Sequence, residues 1–137
     1  MKLRAVEGLS AALDRAEAYC EAGADILFIE APQSLDEMKQ LTAQFAGRIP
    51  LLANMVEGGK TPIQSTNELA EIGYKIAIFP GGAVRAIAHH LTDYFGQLIT
   101  NGNNAEFARK MYDFNGLNDV IETNALLDLG IKYEDKD

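Results

Sequence analysis

The chain has 137 residues, 47% hydrophobic and 23% charged, enough for one domain with a core of its own and typical of a globular protein. Its formal net charge of -8 argues against nucleic acid or an anionic membrane as the main partner. No apolar stretch approaches the roughly 20 residues of a membrane helix, and Met1-Lys2-Leu3-Arg4 opens no signal-peptide core, so the default compartment is cytoplasmic. Cys20 is the single cysteine, which excludes an internal disulfide and a cysteine zinc cluster; its setting beside Tyr19 and Ala22 fits a small packed apolar residue.

Leu9, Ala12, Leu13, Ala16, Tyr19 and Cys20 recur at helical spacing, and Gly23 supplies a left-handed stop. Asp25 to Glu30 then reads as a strand buried on both faces, because bulky residues follow one another without polar alternation. In a strand Ile26, Phe28 and Glu30 share one face and Leu27 and Ile29 the other. Ser34 and Glu37 form a capping box opening a second helix, with Leu35, Met38, Leu41 and Phe45 as its buried stripe and Gly47 as its end. A second strand covers Ile49 to Met55. A glycine-bearing loop, Glu57 to Pro62, leads to a short helix capped by Ser65 and Glu68 and stopped at Gly73.

Tyr74 to Phe79 is the third strand, ending in Pro80-Gly81-Gly82. A long helix from about Ala83 to Thr100 carries Val84, Ile87, Leu91, Tyr94, Phe95 and Leu98 on one side, and Asn101-Gly102 terminates it. Two further helical segments, near Ala105 to Asp113 and Asp119 to Leu129, each follow an asparagine able to cap them. Residues 1–102 thus form a run of βα units, and residues 103–137 a helical extension ending in an acidic tail. Right-handed crossovers make the three strands parallel. The fold class is α/β, part of a barrel or of an open doubly wound sheet; three strands cannot close a barrel, which takes eight.

Parallel strands present their carboxyl ends at one edge, where α/β proteins place ligands. Glu30, Asn54 and Gly81-Gly82 are therefore expected there. If Glu30 points inward, the same alternation turns Leu52 and Asn54 inward too. Glu30 can accept a proton from a hydroxyl, and Asn54 can donate to a carboxylate; the simpler alternatives are that Glu30 caps a helix or pairs with a cation and that Asn54 satisfies turn backbone. Gly58-Gly59-Lys60-Thr61 has the Gly-Lys-Thr of a phosphate loop, but the required earlier glycine is Asn54, so that motif fails. Lys60 instead belongs to a rim, facing solvent or an anionic ligand. Gly81-Gly82 either offers backbone N–H groups to an anion or eases a tight turn. His89 and His90 are adjacent on a helix, point in different directions and have no ligand-spaced partner, so metal binding is not expected of them.

Arg4 to Leu9, Glu21 to Asp25, Phe28 to Pro32, Pro50 to Pro62 and Phe79 to Gly82, taken together, resemble the C-terminal half of the isocitrate lyase/phosphoenolpyruvate mutase superfamily. The resemblance covers about 100 residues. It implies a partial (β/α)8 TIM-type barrel in which the three strands resemble strands six, seven and eight. It also implies a Mg²⁺-dependent enzyme that makes or breaks a bond beside the carboxylate of a small α-keto or α-hydroxy acid, through an enolate-like state. On that pattern Glu30 resembles a catalytic site residue, Asn54 the amide that holds a substrate carboxylate, and Gly81 and Gly82 the end of strand eight, read as substrate-binding. The family's Mg²⁺ aspartates, its loop lysine and cysteine and its strand-five arginine have no counterpart in this sequence. The expectation is therefore a chain inactive alone, with either a complementing N-terminal half or further copies of itself as partner. The alternative is a non-catalytic remnant that serves as a binding or assembly module.

Overall fold

A computed structural model describes residues 3–134; Met1, Lys2 and the tail residues 135–137 lie outside it. The element order is α1 (Leu3–Glu21), β1 (Leu27–Phe28), α2 (Leu35–Phe45), β2 (Leu51–Asn54), α3 (Thr66–Ile72), β3 (Ile76–Ile78) and α4 (Gly82–Asn101). A 3-10 turn (Ala105–Lys110), α5 (Phe114–Val120) and α6 (Thr123–Lys132) follow. By contacts the chain divides into two compact units, with the division between Ala86 and Ile87, inside α4.

In the first unit the strands lie parallel in the order β1-β2-β3, as the βα alternation requires. Leu27 stands opposite Leu51 and Phe28 opposite Leu52; Leu52, Ala53 and Asn54 stand opposite Ile76, Ala77 and Ile78. The first strand is shorter than the expected Asp25 to Glu30. It is an edge with one neighbour, so only the residues that reach the ladder of β2 hold strand geometry.

One face of this sheet is the core. Leu27, Ile29, Leu51, Ala53 and Met55 are buried with Ala12 and Ala16 of α1, Met38, Leu41 and Phe45 of α2, and Leu69 of α3. The opposite face is open: Ile26 is 49% exposed and Ile78 38%, with Phe28, Leu52 and Asn54 half-buried. Leu35, expected in the α2 stripe, is exposed in the first turn, and the stripe is Met38, Leu41, Thr42 and Phe45.

Capping explains the helix limits. Ser34 Oγ accepts from the Glu37 N–H at 3.1 Å, while the Glu37 carboxylate accepts from the Gln33 N–H at 2.8 Å, one residue earlier than a full capping box. Ser65 and Glu68 make the complete box before α3, and hydrogen bonding from the Ser65 backbone N–H, then from its side chain, holds the Glu68 carboxyl below its ordinary range. Gly73 closes α3 at φ 116°, where a Cβ would also press on Thr42.

In the second unit the predicted apolar stripe of α4 is not buried: Leu91 and Phe95 are about half exposed, and α4, α5 and α6 contain no buried residue. Phe107 is its buried centre, edge-on to His90 and Tyr94, with the Lys110 ammonium 5.0 Å from its ring. Lys110 also bonds Asp93, holding that carboxyl below its ordinary range. The expected last helix is two, separated at Glu122, whose φ is 53°. Neither asparagine caps as expected: Asn104 makes no cap bond, and α5 is capped by Asp113, with Asn118 inside it.

Candidate active site

The carboxyl ends of β1 and β2 open onto a pocket of about 340 Å³ lined by Glu30, Ala31, Asn54, Val56, Gly59, Lys60 and Thr61. Its floor follows from register. Phe28 faces Leu52, so two residues further along each segment bring Glu30 and Asn54 to one edge, on the side away from the helices. The strand alternation that buries Leu51 and Ala53 turns Asn54 toward the pocket.

Glu30 has no hydrogen-bond or ion-pair partner among the described residues, and the helix that follows is capped by Ser34 instead. Asn54 does not satisfy turn backbone either. Its Oδ1 is buried without a hydrogen-bond partner, an arrangement that costs stability unless something else supplies the missing bond. Turning the amide over exchanges oxygen for nitrogen, so the same buried position can accept from a hydroxyl or donate to a carboxylate.

Gly81 and Gly82 do not line the pocket. Gly82 begins α4, where a Cβ would stand 3.2 Å from Glu57 Oε1, and the carbonyl of Gly81 accepts from the Arg85 N–H at 3.0 Å. The lining residues that sequence reasoning missed include Val56 and Ala31, the latter in the left-handed region at φ 59° directly before Pro32. A residue preceding proline is biased to extended backbone, so nothing in the sequence signals this strained turn. A larger groove of about 530 Å³ between α2 and α3 is built from helix residues such as Lys39, Thr42 and Glu71, with none from the strand ends. No three His, Cys, Asp or Glu side chains gather into a group able to hold a metal ion among the described residues.

Consecutive βα units with parallel strands whose carboxyl ends share one edge define this chain as part of a barrel-type α/β fold. The chain belongs to the phosphoenolpyruvate phosphomutase family, whose family model matches residues 2–99, within the PEP mutase/isocitrate lyase superfamily. It is 43% identical over 120 residues to 2-methylisocitrate lyase of Bacillus subtilis (strain 168), covering 86% of this chain and 38% of that protein. The crystal structure of 2,3-dimethylmalate lyase in its trigonal form superposes with a TM-score of 0.83 at 28% identity, over 97% of this chain and 43% of the other. Phosphonopyruvate hydrolase in complex with oxalate and Mg²⁺ shares the fold, with a TM-score of 0.74 at 21% identity, over 98% and 47% of the two chains. The chain thus spans about two fifths of the length of such lyases and mutases.

Proposed function

We propose that this chain forms the substrate-binding floor of a Mg²⁺-dependent lyase or phosphonomutase-type enzyme acting on small α-keto or α-hydroxy carboxylic acids. The observation that carries the reading is the convergence of an unpaired Glu30 carboxylate and the unpaired buried Asn54 amide on one small pocket. In a lyase reaction Glu30 takes the proton of the substrate hydroxyl as that oxygen becomes a carbonyl. The electrons of the breaking carbon–carbon bond pass to the departing fragment as an enolate-like anion. Asn54 holds the carboxylate in place during that step. Gly82 serves by letting α4 start close to Glu57. The Mg²⁺ present in the phosphonopyruvate hydrolase complex finds no ligand set among the described residues, so no step is assigned to it.

The test is turnover of 2-methylisocitrate, oxaloacetate and phosphonopyruvate with Mg²⁺. It is measured for the chain alone and mixed with the N-terminal part of the Bacillus subtilis lyase. The chain alone is expected to be inactive and the mixture active, with Glu30→Gln and Asn54→Ala each lowering the recovered rate about 100-fold. Recovered activity indifferent to both substitutions would overturn the assignment.

A second reading, a binding or assembly module, draws on the second unit, where Ile99 is 83% and Phe114 90% exposed. Partners on that reading are further copies of the chain. No recovered turnover together with a concentration-dependent sedimentation coefficient would favour it.

A further inference from the structure

We infer that the groove between α2 and α3 binds a free aliphatic α-amino acid, its carboxylate on Lys39, its ammonium on Glu71 and Thr42, and its side chain on Leu35 and Ile72. The groove shares no lining residue with the pocket at the strand ends, and the inference does not rest on the function proposed for that pocket.

Two helix ridges form the walls. Leu35, Lys39 and Thr42 recur at i, i+4 and i+7 on α2, and Glu68, Glu71 and Ile72 at i, i+3 and i+4 on α3, so each set shares one face. Gly73 sets how close the walls come. Its left-handed stop ends α3 against α2, where a Cβ would stand 3.2 Å from Thr42 Cβ. The space between the ridges is about 530 Å³, within the range of small-ligand sites.

The charges decide what that space accepts. The Lys39 ammonium and the Glu71 carboxylate stand on opposite walls, make no ion pair with each other and have no other partner among the described residues. Glu68 beside them is already engaged, its carboxylate accepting from the Ser65 N–H at 2.7 Å. A plain anion would leave Glu71 unmatched and a plain cation would leave Lys39 so; a zwitterion answers both. Thr42 narrows the choice. It is buried, and its Oγ1 donates to the Lys39 carbonyl at 3.0 Å, which leaves only acceptor lone pairs for the groove. A primary ammonium supplies the N–H donor those lone pairs need, and a quaternary one does not. Half-buried Ile72 and the partly exposed Leu35 offer aliphatic surface to the side chain. A free amino acid carries both charges on one carbon, whereas a peptide terminus carries only one of them.

The experiment is an NMR titration of the full chain at low ionic strength with leucine, isoamylamine and isocaproate. These share the aliphatic chain and keep both charges, only the ammonium and only the carboxylate. Leucine is expected to shift the amides of α2 and α3 and to bind about fivefold tighter than either analogue. Lys39→Met should weaken leucine about fivefold and leave the amine within about twofold; Glu71→Gln should weaken leucine and the amine and leave the acid within about twofold. Asn54→Ala, in the other pocket, should change none of these affinities. The inference is overturned if leucine shifts no amide of the two helices, if it binds no tighter than the amine and the acid, or if either Lys39→Met or Glu71→Gln leaves its affinity unchanged.

Discussion

Arg85 donates from Nη1 to the backbone carbonyl of Glu57 at 2.6 Å and stands 3.5 Å from the same residue's carboxylate. The first turn of α4 therefore grips the start of the loop that carries Gly58, Gly59 and Lys60. Both side chains are about half exposed, so the ion pair itself contributes little. Its effect is positional. Arg85→Ala is expected to change global stability by less than about 1 kcal/mol while hydrogen exchange of the Gly58 to Thr61 amides accelerates. Unchanged exchange in that loop would show that the turn at Val56 to Gly59 holds itself.

Asn54 illustrates stability given up at a site. Its Oδ1 is buried with no partner, on a strand whose cross-strand neighbour is Ile78. Valine at this position would remove the unpaired acceptor and suit a strand better, so Asn54→Val is expected to raise unfolding stability by about 1 kcal/mol. The same substitution should lower the turnover recovered with the N-terminal part. Urea denaturation and that mixing assay on one preparation check both halves, and a destabilised Asn54→Val would mean that the amide is already satisfied.

The sequence signals that proved legible were local and periodic. Gly23 and Gly73 at positive φ, Ser34 and Ser65 as caps, and the 25-residue spacing of strands all rest on short-range chemistry that neighbouring residues specify. That Glu30 and Asn54 line one pocket was legible as well, because strand alternation and parallel register follow from the βα order alone. The exposure of α4 was not. Its apolar stripe has helical period, but period says only that a face exists, not that this chain covers it. Ala31 was hidden for a different reason: its left-handed backbone opposes the local bias that Pro32 imposes, and only the tertiary setting of the strand end selects it. The closeness of Gly82 to Glu57 depends on a long-range contact that no motif encodes.

Tyr74, at the entry to β3, is 6% exposed and packs in the core of the first unit. Burial disfavours the phenolate and pushes its pKa up from 10.0 to about 12. The sign of the linkage follows. Below about pH 10 both folded and unfolded chains keep the proton, and the group adds no pH dependence. Between about pH 10 and 12 the unfolded chain releases it while the folded chain retains it, so stability falls as pH rises. Tyr74→Phe has no proton to lose. Relative to wild type, the variant should gain about 1 kcal/mol between pH 8 and pH 11, read from urea unfolding midpoints at the two pH values. A wild-type-to-variant difference that stays constant across that interval would show that Tyr74 ionises without unfolding pressure and that its hydroxyl reaches solvent.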